Sequence, residues 1–163
     1  MTGLVAWVTL GTALGCGLCA GVFFAFSAFV MPALGRLPAG QGIAAMQSIN
    51  KLAVTPAFMT ALFGSALACA GLAAWGVVAW GERPAPWLLA GGVLYLVGPI
   101  AVTIAANVPL NDALAAAGDP ADLAGVRSRF EATWVRWNVV RAVLSTGAFG
   151  CLTWALVVAG RVA

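Results

Sequence analysis

The polar side chains that could do chemistry are few in this sequence and lie in three short stretches. Once residues with ordinary loop and capping roles are set aside, the remaining candidates are Asn50, Asn107, Asn111, Asp112, Asn138 and Arg141. They supply hydrogen-bond donors and acceptors, one cation and one carboxylate. Asp112 is the acidic partner that we expect for Arg141, and the set predicts one polar pocket.

An aromatic pair precedes the last two of these residues on the same predicted helix. Phe130, Trp134, Asn138 and Arg141 are separated by four, four and three residues, so they share one helix face. An arginine that faces lipid costs about 2.5–3.5 kcal/mol, so we expect this face to point into the protein. Two roles are open for Phe130 and Trp134: binding a flat ligand, or packing as core and interface anchors.

Purely structural roles stay open for the polar residues as well. Asparagine at a helix end commonly satisfies freed backbone groups, and arginine at a membrane surface commonly extends toward lipid phosphate. The sequence alone does not separate these roles from a binding site.

Several kinds of site are excluded by residue type. The chain has no histidine, which excludes bis-histidine haem, histidine metal sites and a serine–histidine pair. No carboxylate lies deep in an apolar segment, which disfavours a proton-coupled exporter. We therefore expect neither a metal nor a cofactor.

The pair Cys16 and Cys19 forms a C-x-x-C spacing inside the first apolar segment. On a helix the two thiols share a face, as a thiol oxidase that reduces a quinone would require. No charged residue lies near the pair to activate a thiolate, so small buried packing residues are the alternative.

The composition requires a membrane. Of 163 residues, 63% are hydrophobic and only 8% are charged, whereas soluble domains average about 25% charged residues. Lipid is therefore the expected partner, and the whole chain, residues 1–163, is predicted to form one integral membrane domain. The net charge of +3 is small and dispersed, which argues against binding nucleic acid.

The apolar segments predict an all-α fold, a four-helix transmembrane bundle. The predicted spans cover about residues 3–34, 56–80, 86–106 and 137–158, each long enough to cross a bilayer. Between the first two, Ile43, Met46, Asn50 and Ala53 follow a 3-4-3 spacing that predicts a short amphipathic helix at the membrane surface. Gly98-Pro99 predicts a kink in the third span, and the fourth helix is expected to begin well before its span.

Small residues at four-residue spacing in the first span indicate close helix packing. One stripe contains Gly11, Gly15 and Cys19, and another contains Gly17, Gly21 and Ala25. Such stripes would suit a partner helix, including one from a homo-oligomer.

Basic residues predict the orientation. The two long connections and their helix ends carry Arg36, Lys51, Arg127, Arg129, Arg136 and Arg141, whereas the other side carries Arg83 and Arg161. By the positive-inside rule, the long connections face the cytoplasm and both termini lie on the outer side of the membrane. We expect this membrane to be the cell membrane.

Four stretches carry a family resemblance. They are GVFFAFSAFVMPAL from Gly21, AAMQSIN ending at Asn50, NVPLND from Asn107 and WVRWNVVR ending at Arg141. Together they resemble the small four-span membrane proteins of the anthrone oxygenase-like family. The resemblance runs from about Gly21 into the last span.

The resemblance implies oxidation of a flat, hydrophobic, polyketide-like anthrone by O2 without a cofactor. Because the polar residues lie on the side that the basic residues assign to the cytoplasm, we expect the pocket near the cytoplasmic face. For this reaction we expect Asp112, Asn138 and Arg141 to be catalytic. The residues expected to bind the substrate are Asn50, Asn107, Asn111, Phe130 and Trp134. The alternative function is a non-catalytic subunit that binds a hydrophobic ligand or a partner helix.

Overall fold

The computed structural model describes residue 1 and residues 3–116 and 122–160, and throughout this part every regular element is a helix. The helices are α1 (Gly3–Gly35), α2 (Ala39–Ala53), α3 (Pro56–Val78), α4 (Ala85–Ala116) and α5 (Leu123–Gly160). Arg161, which contributed to the predicted orientation, lies outside the described residues.

Four of the helices, α1, α3, α4 and α5, are long and apolar enough to cross a membrane. The predicted all-α bundle of four spans is therefore confirmed, and the chain is an integral membrane protein. Helix α5, which contains the fourth span, begins at Leu123, well before that span, as predicted, and continues to Gly160. Helix α4, which contains the third span, is longer than predicted because it continues through Pro109 to Ala116. Pro109 is the second residue of a new α-helical segment, where a missing N–H is tolerated.

Wide π-helical turns interrupt the α-helical geometry of three spans. They occupy Phe26–Val30 in α1, Thr60–Gly64 in α3 and Leu96–Asn107 in α4. Pro99 lies inside the longest of them, where its ring and missing N–H prevent a regular α-helical turn. At Gly98-Pro99, where a kink is predicted, α4 therefore has a π-helical segment with more residues per turn than an α-helix.

The four spans form a ring in which α1 packs on α5, α5 on α4, α4 on α3, and α3 on α1. Small residues allow close contact at two of these interfaces. Gly15 of α1 lies against the Ser65 side chain of α3, and Gly92 of α4 lies against the Cys69 carbonyl of α3. The stripe through Gly15 and Cys19 therefore contributes to packing inside the bundle, because Cys19 is fully buried.

Helix α2 is amphipathic, as its spacing predicted. Ile43 and Met46 are 6% and 2% exposed, and they pack on the ends of the bundle with Leu114 and Phe130. The Gln47 side chain donates a hydrogen bond to the Leu114 carbonyl at 2.8 Å. These contacts fix α2 across one end of the four spans.

Arg127 of α5 fastens the C-terminal end of α1. Its guanidinium donates hydrogen bonds to the carbonyl oxygens of Gly35 and Leu37, and its Nε lies 2.8 Å from Glu131. Gly35 is the last residue of α1 and Leu37 follows it, and backbone acceptors at a helix C-terminus lack helical partners. Arg127 is therefore a cap that joins two helices.

Replacing Arg127 with alanine is expected to lower the free energy of unfolding by about 2 kcal/mol, because charge-assisted hydrogen bonds to the carbonyls are lost. Thermal denaturation in detergent micelles measures this change. Arg129→Ala is the control, since Arg129 is exposed and lies 3.8 Å from Asp122. Equal melting temperatures for the two variants would contradict the capping role.

Candidate functional site

A cavity of about 330 Å³ lies at the end of the bundle that α2 covers. All five helices line it. The lining residues are Val22, Phe23, Phe26, Ile49, Asn50, Leu52, Ala53, Phe58, Asn111, Trp134, Asn138 and Arg141. The volume lies within the range of about 300–1,000 Å³ that is usual for small-molecule sites. Leu52 is 67% exposed, so this side of the cavity opens to the surroundings.

Arg141 lies in the cavity wall with 7% of its surface exposed. Its Nη1 donates to Thr103 Oγ1 at 3.0 Å, and its Nη2 donates to Asn138 Oδ1 at 2.7 Å. The guanidinium carbon lies 4.4 Å from the centre of the Phe23 ring and 5.3 Å from that of Trp134. Aromatic faces stabilise a cation in apolar surroundings. The guanidinium therefore points into the bundle, as the spacing predicted.

The charge of Arg141 has no acidic partner in the part of the chain that the structure describes. Its Nε–H is buried and makes no hydrogen bond. Buried charges in proteins are normally paired, because removing an ion from water is costly. The cavity wall thus contains a cation without an acidic partner among the described residues, which is suited to an anionic ligand oxygen.

The predicted ion pair between Asp112 and Arg141 is wrong. Asp112 is exposed on α4 and does not line the cavity, whereas its neighbour Asn111 does. Consecutive helical residues point about 100° apart, so Asn111 and Asp112 face different directions. Other described acids are also engaged elsewhere: Glu82 with the Met1 amine, Asp122 with Arg129 and Glu131 with Arg127.

Asn138 connects Arg141 to α1. It is fully buried, and its Nδ2 donates to the Phe23 carbonyl and to Ser27 Oγ, each at 2.7 Å. Its Oδ1 accepts the hydrogen bond from Arg141, so both ends of the amide are used. Ser27 lies in the π-helical turn of α1. Asn138 therefore holds the guanidinium in one orientation.

Two asparagines of α4 hold Trp134 in the cavity wall. The indole Nε1 donates to Asn111 Oδ1 at 2.8 Å, and Asn107 Nδ2 donates to the Trp134 carbonyl at 3.3 Å. Asn107 is 1% exposed and does not line the cavity; its Oδ1 is buried without a partner. Phe130 packs against Trp134 with ring centres 6.2 Å apart and also lies outside the lining.

The structure thus brings five of the predicted residues to one cavity and leaves three outside it. The lining contains Asn50, Asn111, Trp134, Asn138 and Arg141, whereas Asn107 and Phe130 lie behind Trp134 and Asp112 lies on the surface. Within the described ranges, no group of three or more histidine, cysteine, aspartate or glutamate residues is placed to hold a metal ion.

A comparison with protein families shows which family the chain belongs to. The family model described as anthrone oxygenase matches residues 53–151, which is more than half of the sequence. The chain belongs to the anthrone oxygenase family. Neither the curated proteins nor the solved structures include a significant match.

The part that matches the anthrone oxygenase family contains most of the polar site. It covers α3, α4 and most of α5, and so includes Asn111, Trp134, Asn138 and Arg141. The matched region stops short of α1 and most of α2, which add Phe23 and Asn50 to the cavity.

Sequence reasoning missed several residues of the site. Phe23, Phe26 and Phe58 form aromatic walls, and Phe23 meets Phe58 edge to face with centres 6.5 Å apart. Thr103 and Ser27 complete the hydrogen bonds around Arg141 and Asn138. The signal for Phe23, Phe26 and Ser27 was available, because all three belong to the stretch that begins at Gly21.

Proposed function

We propose that this chain oxidises a flat, hydrophobic, anthrone-type substrate with O2 in the α2-covered cavity, and that it does so without a cofactor. The observation that carries the proposal is the buried guanidinium of Arg141, which lines the cavity and has no carboxylate partner among the described residues. Such a cation favours the ionised form of a substrate that can become an oxyanion.

The proposed chemistry needs little from the protein. An anthrone loses a proton from its CH2 carbon, and the negative charge spreads onto the carbonyl oxygen. The electron-rich carbon of this anion adds O2, and the resulting hydroperoxide loses water to leave a second carbonyl. One O2 therefore converts the CH2 group to a carbonyl group and yields one water, with no electrons from a cofactor.

The residues divide into binding and positioning roles in this proposal. Arg141 binds the oxyanion, and Asn138 holds Arg141 through its Oδ1. Trp134, Phe23 and Phe58 contact the rings of the substrate, which matches an apolar wall to a planar aromatic ligand. The Asn50 amide hydrogen-bonds to polar groups at the substrate edge, and so does Asn111 through its Nδ2, since Asn111 Oδ1 accepts from Trp134.

Deprotonation does not need Asp112 in this proposal. The described lining contains no carboxylate, so water removes the proton while Arg141 stabilises the anion that forms. The opening beside the exposed Leu52 would admit that water.

We further propose that the cavity lies near the cytoplasmic face of the cell membrane. Arg127 and Arg141 are engaged within the protein and do not count toward orientation. The remaining basic residues of that side, Arg36, Lys51, Arg129 and Arg136, still outnumber Arg83 and Arg161.

A second candidate is a membrane protein that binds the same class of ligand without converting it. The lack of a carboxylate in the described lining favours this alternative, because no carboxylate is then placed to act as a general base. A positioned general base accelerates proton removal by about 10²-fold or more. A ligand that binds in the cavity without consuming O2 would identify this function.

Purified protein in lipid nanodiscs is expected to consume one O2 per quinone formed from an anthrone, faster than the spontaneous reaction in empty nanodiscs. An oxygen electrode and the quinone absorbance measure the two quantities. The Asp112→Asn variant is expected to keep a rate within about twofold of the unaltered protein, since Asp112 lies outside the cavity. An unaltered protein that binds the anthrone, seen as tryptophan quenching, but adds nothing to the rate would overturn the enzyme in favour of the binding protein.

A further inference from the structure

A cluster of thiols and one phenol lies between the spans, next to the cavity. Cys16 and Cys19 of α1, Cys69 of α3 and Tyr95 of α4 are all 0% exposed. The Sγ atoms of Cys16 and Cys69 lie 3.7 Å apart. The pair predicted from the C-x-x-C spacing is therefore not the pair that the structure brings into contact.

Cys19 is engaged differently from the other two thiols. The Tyr95 hydroxyl lies 3.2 Å from Cys19 Sγ and 3.2 Å from the carbonyl oxygen of Leu62, so it joins α4 to both α1 and α3. Leu62 belongs to the π-helical turn of α3. This phenol contact leaves Cys16 and Cys69 as the two thiols that face each other across the α1–α3 interface.

The backbones near these two thiols are held close together. A Cβ atom added to Gly15 would collide with the Ser65 side chain, so α1 and α3 approach closely one residue before Cys16. A disulfide requires the two sulfur atoms to approach to about 2.05 Å with the Cα atoms about 4.4–6.8 Å apart. The two Sγ atoms lie 3.7 Å apart and must still move toward each other for the bond to form.

We propose that Cys16 and Cys69 form a reversible disulfide that cross-links α1 to α3, with hydrogen peroxide as the oxidant. One thiol attacks the O–O bond to give a sulfenic acid and one water. The second thiol then displaces the hydroxyl as another water while the S–S bond forms. The two thiols lose two electrons in total, and the two peroxide oxygens gain them.

The burial of Cys16 and Cys69 limits their oxidant to a small molecule. Both thiols are fully buried, so bulky alkylating reagents cannot reach them in the folded protein. The wall of the cavity contains Phe23, which lies one helical turn (~5.4 Å) beyond Cys19, and Phe58, which lies four residues before Leu62. Hydrogen peroxide is small and uncharged, so burial hinders it less than it hinders an alkylating reagent.

The disulfide would fix the distance between two walls of the cavity. Phe23 lies on α1 and Phe58 on α3, and their rings meet edge to face. A bond between Cys16 and Cys69 closes a loop of 53 residues and removes freedom from the unfolded chain. Oxidation is therefore expected to stabilise the bundle and to limit separation of α1 from α3. This inference does not depend on the oxygenase activity.

The test treats the full-length protein in native membranes with hydrogen peroxide, quenches with acid and labels the remaining thiols in denaturant. Peptide mass spectrometry is expected to find one Cys16–Cys69 disulfide, with Cys19 and Cys151 still alkylated, and reversal by dithiothreitol. The oxidised protein is expected to melt at a higher temperature. A Cys16–Cys19 bond, or four free thiols after exposure that fully oxidises an exposed model dithiol, would overturn the proposal.

Variants provide matched controls. Cys16→Ser and Cys69→Ser are each expected to abolish the peroxide-induced rise in melting temperature, whereas Cys151→Ser keeps it, because Cys151 lies on α5 outside the cluster. A rise that persists in Cys69→Ser would contradict the assignment. Should a serine variant fail to fold, the peptide map of the unaltered protein decides the question by itself.

Discussion

Replacing Arg141 with alanine is expected to lower O2 consumption with an anthrone by at least about 100-fold, since one lost oxyanion donor typically costs 10²–10³ in rate. The variant is expected to remain folded. Its substitution removes a buried charge that has no carboxylate partner among the described residues, and a buried ion contributes little net stability. The oxygen electrode reports the rate, and the melting temperature reports the fold.

Two further arginine variants separate charge from geometry. Arg141→Lys keeps a cation but loses the planar fork that reaches Thr103 and Asn138, so a rate between those of the alanine variant and the unaltered protein is expected. Arg136→Ala is the matched control, because Arg136 is exposed on the same helix, and it is expected to leave the rate unchanged. An Arg141→Ala protein that oxidises anthrone at the full rate would end the catalytic proposal.

Replacing Gly92 with leucine is expected to destabilise the bundle by at least about 3 kcal/mol, the upper part of the range for overpacking a tight interface. A Cβ atom at Gly92 would lie 2.5 Å from the Cys69 carbonyl oxygen and 2.8 Å from the Ala73 Cβ. The first of these neighbours is backbone and cannot rotate away, so α3 and α4 would have to separate.

The matched control for this change is Gly71→Leu. Gly71 lies on α3, and a Cβ atom added there would have no atom within 4 Å. Its melting temperature in detergent is expected to match that of the unaltered protein, whereas that of Gly92→Leu falls and its monodisperse peak in size-exclusion chromatography is lost. Similar melting curves for both variants would show that the α3–α4 contact is not close.

The spans and the amphipathic helix could be predicted from the sequence because lipid thickness and helical periodicity act locally. Long apolar runs fix where the chain crosses the membrane. The spacing of Ile43 and Met46 fixes which side of α2 is buried, and both residues are in the core. The inward face of Arg141 followed from the same argument, since a cation is costly in lipid.

The error at Asp112 has a physical origin in α4. The π-helical segment Leu96–Asn107 adds residues to each turn, so the faces of α4 cannot be extrapolated from α-helical spacing. Whether Asn111 or Asp112 faces the cavity therefore depends on how far the π-helical segment rotates the rest of α4, and the sequence does not give this rotation. Pro99 marks the position of the disturbance but not the resulting rotation.

The contact between Cys16 and Cys69 could not be predicted either, and the reason is different. Spacing within α1 places Cys16 and Cys19 on one face, but it does not say which helix lies opposite. The contact between Cys16 and Cys69 arises from the packing of α1 on α3, between residues 53 positions apart. Local periodicity carries no information about such a pairing.

The guanidinium of Arg141, which has no acidic partner among the described residues, determines which ligand charge makes the occupied cavity electrically neutral. A neutral ligand leaves the full positive charge of Arg141 uncompensated in a medium of low dielectric constant, and a dianion replaces it with an excess negative charge. Only a monoanion brings the occupied site to zero. Because buried pairs are weakly screened, this selectivity for singly charged ligands should persist at high ionic strength.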